Sequence, residues 1–270
     1  MQQISSIEEI DWIGVGTAEI PSSPDQQHVS LFTVASYIPP IFPAYAKIFH
    51  AIYEDLSIAN RDLTWNQEEI AETSGLPPST DPVEQLMEKS TLVYGAPEPD
   101  AQLRRVSWSV IAERYGLRYT PTLHVGSFNR RFLGASWPRY LVGPMEGCLA
   151  DDERDALAAA LDRELKGGDC YFYFWLLATE KMESDLLYRG PLREVGQFAS
   201  GINTVRLTPT YWFPPDRSWL VHSDYDSTYT LIGGREQLIE SVLHTEGLEA
   251  LRVTSETPLG SLGDKPNLTS

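Results

Sequence analysis

The run Cys170-Tyr171-Phe172-Tyr173-Phe174-Trp175-Leu176-Leu177 is apolar or aromatic at every position. A strand with one wet face would alternate with a period of two. Unbroken apolarity calls for cover on both faces, so the run is expected at the centre of a sheet. Upstream, residues 151–165 carry acids in the first turn and end at Gly167-Gly168, the pattern of a complete helix. Downstream, residues 219–223 and 228–232 read as strands. Gly233-Gly234 then leads into a helix bearing Leu238, Ile239, Val242 and Leu243, and residues 248–253 supply a last strand. Strands alternating with helices predict an α+β fold, a single mixed domain over 1–270 with a central aromatic-rich strand and short packing helices.

Nearer the N-terminus, residues 12–20 and 29–37 carry short apolar, β-branched runs separated by Pro21-Ser22-Ser23-Pro24, which predicts two strands and a polar connection. From Pro43, the residues Tyr45, Ile48, Phe49, Ile52 and Tyr53 recur at helical spacing, which predicts an amphipathic helix through Asp55. Thr64 with Gln67 forms a capping-box pattern before a second helix that stops at Gly75. A third helix, over residues 106–116, shares its grammar of hydroxyl residue, tryptophan, Ile-Ala pair and closing glycine. Both are read as packing helices. The stretch 75–104, framed by prolines, is expected to be a peripheral insertion, and a flexible tail is expected from about residue 255.

The formal charge of −17 on 270 residues is the strongest global signal. Such a surface repels phosphate backbones and anionic headgroups, so neither nucleic acid nor membrane is expected as a partner; a basic protein, a metal ion or a cationic ligand would be drawn in. Cys148 and Cys170 are the only cysteines and have no C-x-x-C spacing or cationic neighbour, which reads as inert, reduced thiols in the cytoplasm. Met1 to Glu9 lacks the basic start and apolar core of a secretory signal, and the longest apolar run is far short of a membrane span.

Residues 211–229 are the window richest in groups able to bind something, holding four of the chain's aromatic candidates together with His222, Asp224 and Asp226. Two carboxylates one residue apart can converge on a hard cation from a turn, and His222 lies two positions before Asp224, on the same side of a strand. The plainer reading makes Asp224-Tyr225-Asp226 a polar hairpin turn in which a carboxylate accepts backbone N–H bonds. His222, Asp224 and Asp226 are therefore the catalytic or metal candidates, with Trp212, Trp219, Tyr225 and Tyr229 the ligand-binding ones. His50 on the expected helix and His124 in an expected strand complete no zinc spacing. Neither a G-x-S-x-G elbow nor a phosphate-binding glycine loop occurs, and no cofactor is implied.

Three segments in order carry a resemblance. They are Pro40-Ile41-Phe42-Pro43-Ala44-Tyr45-Ala46-Lys47-Ile48-Phe49-His50, then Val106-Ser107-Trp108-Ser109-Val110-Ile111-Ala112, then Trp212-Phe213-Pro214-Pro215-Asp216-Arg217-Ser218-Trp219 with Asp224-Tyr225-Asp226-Ser227-Thr228-Tyr229 and Gly233-Gly234. The set resembles a group of uncharacterised soluble bacterial proteins, over a span from about Val34 to Val253. The resemblance implies a shared fold and carries no activity or site residues with it. The leading functional expectation is an acidic cytoplasmic binding or regulatory protein, immunity-like, that recognises a basic protein partner. One alternative is a divalent-cation-dependent hydrolase or transferase using Asp224, Asp226 and His222; another is a small-ligand-binding protein without catalysis.

Overall fold

Among the described residues, eight antiparallel strands make the main sheet in the order β1 (Gln2–Ile4), β7 (Leu186–Pro191), β6 (Asp169–Phe174), β8 (Tyr211–Phe213), β9 (Leu220–His222), β10 (Tyr229–Gly234), β2 (Ala44–Phe49), β11 (Glu249–Val253). A three-stranded sheet sets β3 (Ile52–Asp55) between β4 (Leu103–Val106) and β5 (Leu141–Val142). The computed structural model describes residues 1–17, 32–65, 102–129, 131–132, 136–175, 184–198, 208–260 and 263–268. Among them no helix is long and apolar enough to cross a membrane. Helices and sheets together make the α+β fold that the alternation of elements implied.

Strand β6 lies inside the sheet, and its residues divide by parity between two cores. Cys170, Phe172 and Phe174 enter one core, which α4 (Asp151–Leu165) covers with Leu157 and Leu161, and α5 (Glu236–Leu243) with Leu238, Ile239 and Val242. Tyr171 and Tyr173 enter the other, beneath Ile13 of α1 (Asp11–Gly16), Val34, Ile38 and Leu259. Burying a large apolar side chain contributes about 1.5–3 kcal/mol, so β6 is stabilised from both sides. A third core joins Phe49 and Ile52 to Trp108 and Ile111 of α2 (Trp108–Arg114) and to Phe128 of α3 (Val125–Asn129).

The helix ends follow their sequence signals. Ser107 caps α2 by accepting from the Val110 N–H at 3.3 Å, and Gly116 after it has φ 67°. Glu153, in the first turn of α4, accepts from Ala150 N at 3.1 Å and from Ala51 N at 3.2 Å, tying the helix to the sheet. Lys166 and Gly167 close α4 in the left-handed region, at φ 54° and 80°.

Four expectations are corrected. Residues 11–16 form the helix α1 and residues 34–36 a single 3-10 turn, where strands were expected over 12–20 and 29–37; residues 18–31 lie outside the described set. Short apolar runs do not distinguish a strand from a helical turn that packs one residue such as Ile13 into a core. The helix expected from Pro43 through Asp55 is β2 and β3. All six residues of β2 are buried, with Ala44, Ala46 and Ile48 facing one core and Tyr45 another, so an apolar spacing that looks helical carries no periodic information there. His124 sits in the turn before α3, with its carbonyl accepting from Ser127 N at 2.8 Å, and is not in a strand.

Thr64 bridges to Pro138, whereas its capping partner Gln67 and residues 75–101 of the expected insertion lie outside the described residues; Leu103 and Arg104 belong to β4. The segment expected as a tail from about 255 carries buried groups. Leu259 N donates to Phe32 O at 2.9 Å, and Asp264 accepts from Thr122, Ser127 and Asn267 just before the last turn, α6 (Lys265–Leu268).

Candidate functional site

The β9–β10 hairpin holds the Asp224-Tyr225-Asp226 turn. Asp226 N donates to Asp224 Oδ1 at 3.3 Å and Ser227 N to Asp224 O at 3.1 Å, the self-bonded turn that the plainer reading described. Gly147 packs against it so closely that a Cβ there would stand 2.6 Å from Tyr225 O. Burial, and then the neighbouring Asp226 carboxyl, push the Asp224 carboxyl up to about 7. Among the described residues no three His, Cys, Asp or Glu side chains are placed to share a metal ion.

His222 ends β9 and is buried between two rings, Tyr37 at 5.0 Å and Tyr211 at 4.6 Å between centroids. Its Nδ1 lies 3.1 Å from Thr210 O, and because a carbonyl only accepts, the Nδ1–H tautomer is fixed. Burial lowers its pKa to about 3, so the ring stays neutral. Its Nε2 has no hydrogen-bond partner among the described residues.

Registration across the sheet explains this stack. Tyr173 of β6 pairs with Tyr211 of β8, which pairs with His222 of β9, so the three rings form one lateral row. Tyr173 and Tyr211 lie 6.1 Å apart with an interplanar angle of 29°, and Tyr37 continues the row beyond His222. The Tyr173 hydroxyl donates to Asp185 Oδ2 at 2.7 Å and the Tyr211 hydroxyl to Tyr37 O at 3.1 Å. Burial raises the pKa of both phenols, with the Asp185 hydrogen bond adding at Tyr173 and the Asp224 charge at Tyr211. At the end of this row, between it and α1, opens a cleft of about 480 Å³ lined by Ile10, Asp11, Ile13, Gly14, Thr17, Tyr173 and Tyr211.

The four aromatic ligand candidates are not brought together. Trp212 and Trp219 are buried in the core under α4 and α5, and Trp212 Nε1 donates to Pro209 O at 3.2 Å. Tyr229 lies on the opposite face, its ring centroid 4.7 Å from Lys47 Nζ, and Tyr225 packs against Trp175 at 5.6 Å. Asp11, Tyr37, Tyr173 and Tyr211 were missed as site residues. A sequence signal existed for Tyr173 alone, in the Tyr/Phe alternation of Cys170-Tyr171-Phe172-Tyr173-Phe174, which separates a polar-tipped face from an apolar one.

Other reactive groups are enclosed. Lys47 Nζ donates to Leu123 O at 2.7 Å and Pro121 O at 3.2 Å, and burial brings its pKa down to about 7. His50 donates from Nδ1 to Met145 O and meets Thr230 Oγ1 through Nε2 at 2.9 Å, while Thr230 meets Ser223 at 2.7 Å. This chain resembles a nucleophile relay in composition, yet His50, Thr230 and Ser223 are all buried. Glu54 joins Arg104 at 2.6 Å and Arg114 at 2.7 Å, an ion pair network that fastens β3, β4 and α2.

Comparison of the chain with family models, with curated proteins and with solved structures gives no match.

Proposed function

We propose that the protein is an acidic cytoplasmic binding or regulatory protein, of an immunity-like kind, that recognises a basic protein partner. The observation that carries this reading is the cleft beside α1, where exposed Asp11 faces two tyrosines whose hydroxyl protons are already donated elsewhere. The net charge of −17 adds a long-range field that draws a basic surface in. Groups suited to catalysis are otherwise committed: His50, Ser223 and Lys47 are buried with partners, and Asp224 closes its own turn. A cation-dependent hydrolase or transferase built on Asp224, Asp226 and His222 would need His222 to turn toward the carboxylates. Its ring is instead held between Tyr37 and Tyr211.

The test is association with a defined basic probe, decalysine, followed by calorimetry at low and high salt. The expected outcome is saturable binding that weakens steeply as the Debye length falls from about 30 Å at 0.01 M salt to about 10 Å at 0.1 M. Absence of binding at low salt, or binding indifferent to salt, would remove the reading.

A further inference from the structure

The cleft between α1 and the tyrosine row offers a restricted kind of polar chemistry. The Tyr173 proton goes to Asp185 Oδ2, the Tyr211 proton to Tyr37 O and the Thr17 hydroxyl proton to Gly14 O at 3.3 Å. Asp11 contributes a carboxylate, and Ile10, Ile13 and Gly14 contribute no polar side-chain atom. Every polar side-chain atom lining the cleft therefore presents lone pairs. A carboxylate or phosphate placed there would find no uncommitted side-chain donor among these residues, whereas ammonium and guanidinium groups are donors without acceptors. The isoleucines supply an apolar wall for an aliphatic stem, and a volume of about 480 Å³ is within the range of about 300–1,000 Å³ usual for ligand clefts.

We propose that this cleft receives the side chain of a lysine or arginine on the basic partner, its stem along Ile10 and Ile13 and its cationic head among Asp11, Tyr173 and Tyr211. The inference rests on the reading of a basic protein partner and assigns the place of contact. Of the charged groups nearby, Asp185 is bonded to Tyr173, and Arg217 is engaged over the Trp12 ring of α1 at 5.3 Å.

The experiment uses amide NMR spectra of the full chain titrated with n-butylammonium and butylguanidinium, with n-butanol and butyrate as neutral and anionic counterparts of similar shape. The cations are expected to shift the Gly14 and Thr17 amides saturably, and the neutral and anionic compounds to leave them in place. Asp11→Asn, an exposed and nearly isosteric change, is expected to weaken the cation response about tenfold, the loss of one charge-assisted contact. Tyr211→Phe, which removes a lone-pair donor while keeping the ring, is expected to weaken it as well. An equal response to n-butanol, or no saturable response to either cation, would overturn the assignment. Decalysine separates the two ideas: if it binds wild type without shifting Gly14 or Thr17, the cleft is wrong and the basic-partner reading stands. If it does not bind wild type at all, that reading has failed.

Discussion

The two faces of the main sheet are made by alternate residues of the same strands, and they differ in kind. One face carries Cys170, Phe172, Phe174, Trp212, Val221 and Ile232, and the helices α4 and α5 cover it. The other carries Tyr171, Tyr173, Tyr211, His222 and Tyr229 together with the buried Lys47, and among the described residues the short helix α1 and irregular chain lie over its tyrosines, with α2 against Phe49 farther along β2. A polar-tipped face needs partners for each tip, and the backbone carbonyls of an irregular cover can provide them: Tyr37 O, Thr210 O, Pro121 O and Leu123 O all serve. The same irregularity leaves the cleft. The larger apolar cluster lies on the Phe/Trp face and the cleft on the Tyr/His face.

The largest effect should come from putting a charge into the dry face. Phe172→Asp buries an unpaired carboxylate at a position that is 0% exposed, a cost of several kcal/mol against a total stability of about 5–15 kcal/mol. The expected result is loss of the cooperative melt by circular dichroism. A variant that melts near wild type would show that the two faces are not distinct in the way described.

A smaller effect belongs to the hairpin beside the polar face. Asp224 is raised from 3.8 to about 7 by burial and then by Asp226. In this window the native state holds a proton that the unfolded chain has released, so stability falls as pH rises from about 4 to about 7. Asp224→Asn does not titrate, and its melting temperature should follow a flatter pH profile than that of wild type. Parallel profiles for the two proteins would mean that the carboxyl is not held protonated.

The smallest effect tests the polar tips one at a time. Tyr211→Phe removes one hydroxyl bond to Tyr37 O and should cost about 0.5–1.5 kcal/mol in urea denaturation. A cost as large as that of a core truncation would place Tyr211 among the residues that hold the fold and weaken the division of labour between faces.

Much of this fold was legible in the sequence, because buried continuous runs and helix caps are local signals. The helix Asp151–Leu165 with its glycine stop and the strands around Leu220, Tyr229 and Glu249 stand where their residues placed them, and of the run 170–177 the strand takes Cys170 to Phe174, Trp175 lying beyond it and 176–177 outside the described residues. Strand β2 was not legible, since burial on both faces erases the period that separates strand from helix. The candidate site was half legible. The Asp224–Asp226 turn follows from local hydrogen bonding, but the row Tyr173–Tyr211–His222 depends on register across three strands, and a single sequence does not encode register in any local pattern. Asp11 reaches the site only because α1 packs over that row.

The most direct test of the account compares two charge reversals that alter the net charge equally. Asp11→Lys changes the cleft on the tyrosine face, and Glu246→Lys changes an exposed position just beyond α5, the helix over the apolar face. The dissociation constant for decalysine is measured at one low salt concentration for wild type and both variants. The account predicts that Asp11→Lys weakens binding about tenfold or more beyond Glu246→Lys, because a local contact is lost in addition to the shared long-range charge. Equal weakening by the two reversals would contradict it, leaving only an acidic surface with no preferred face.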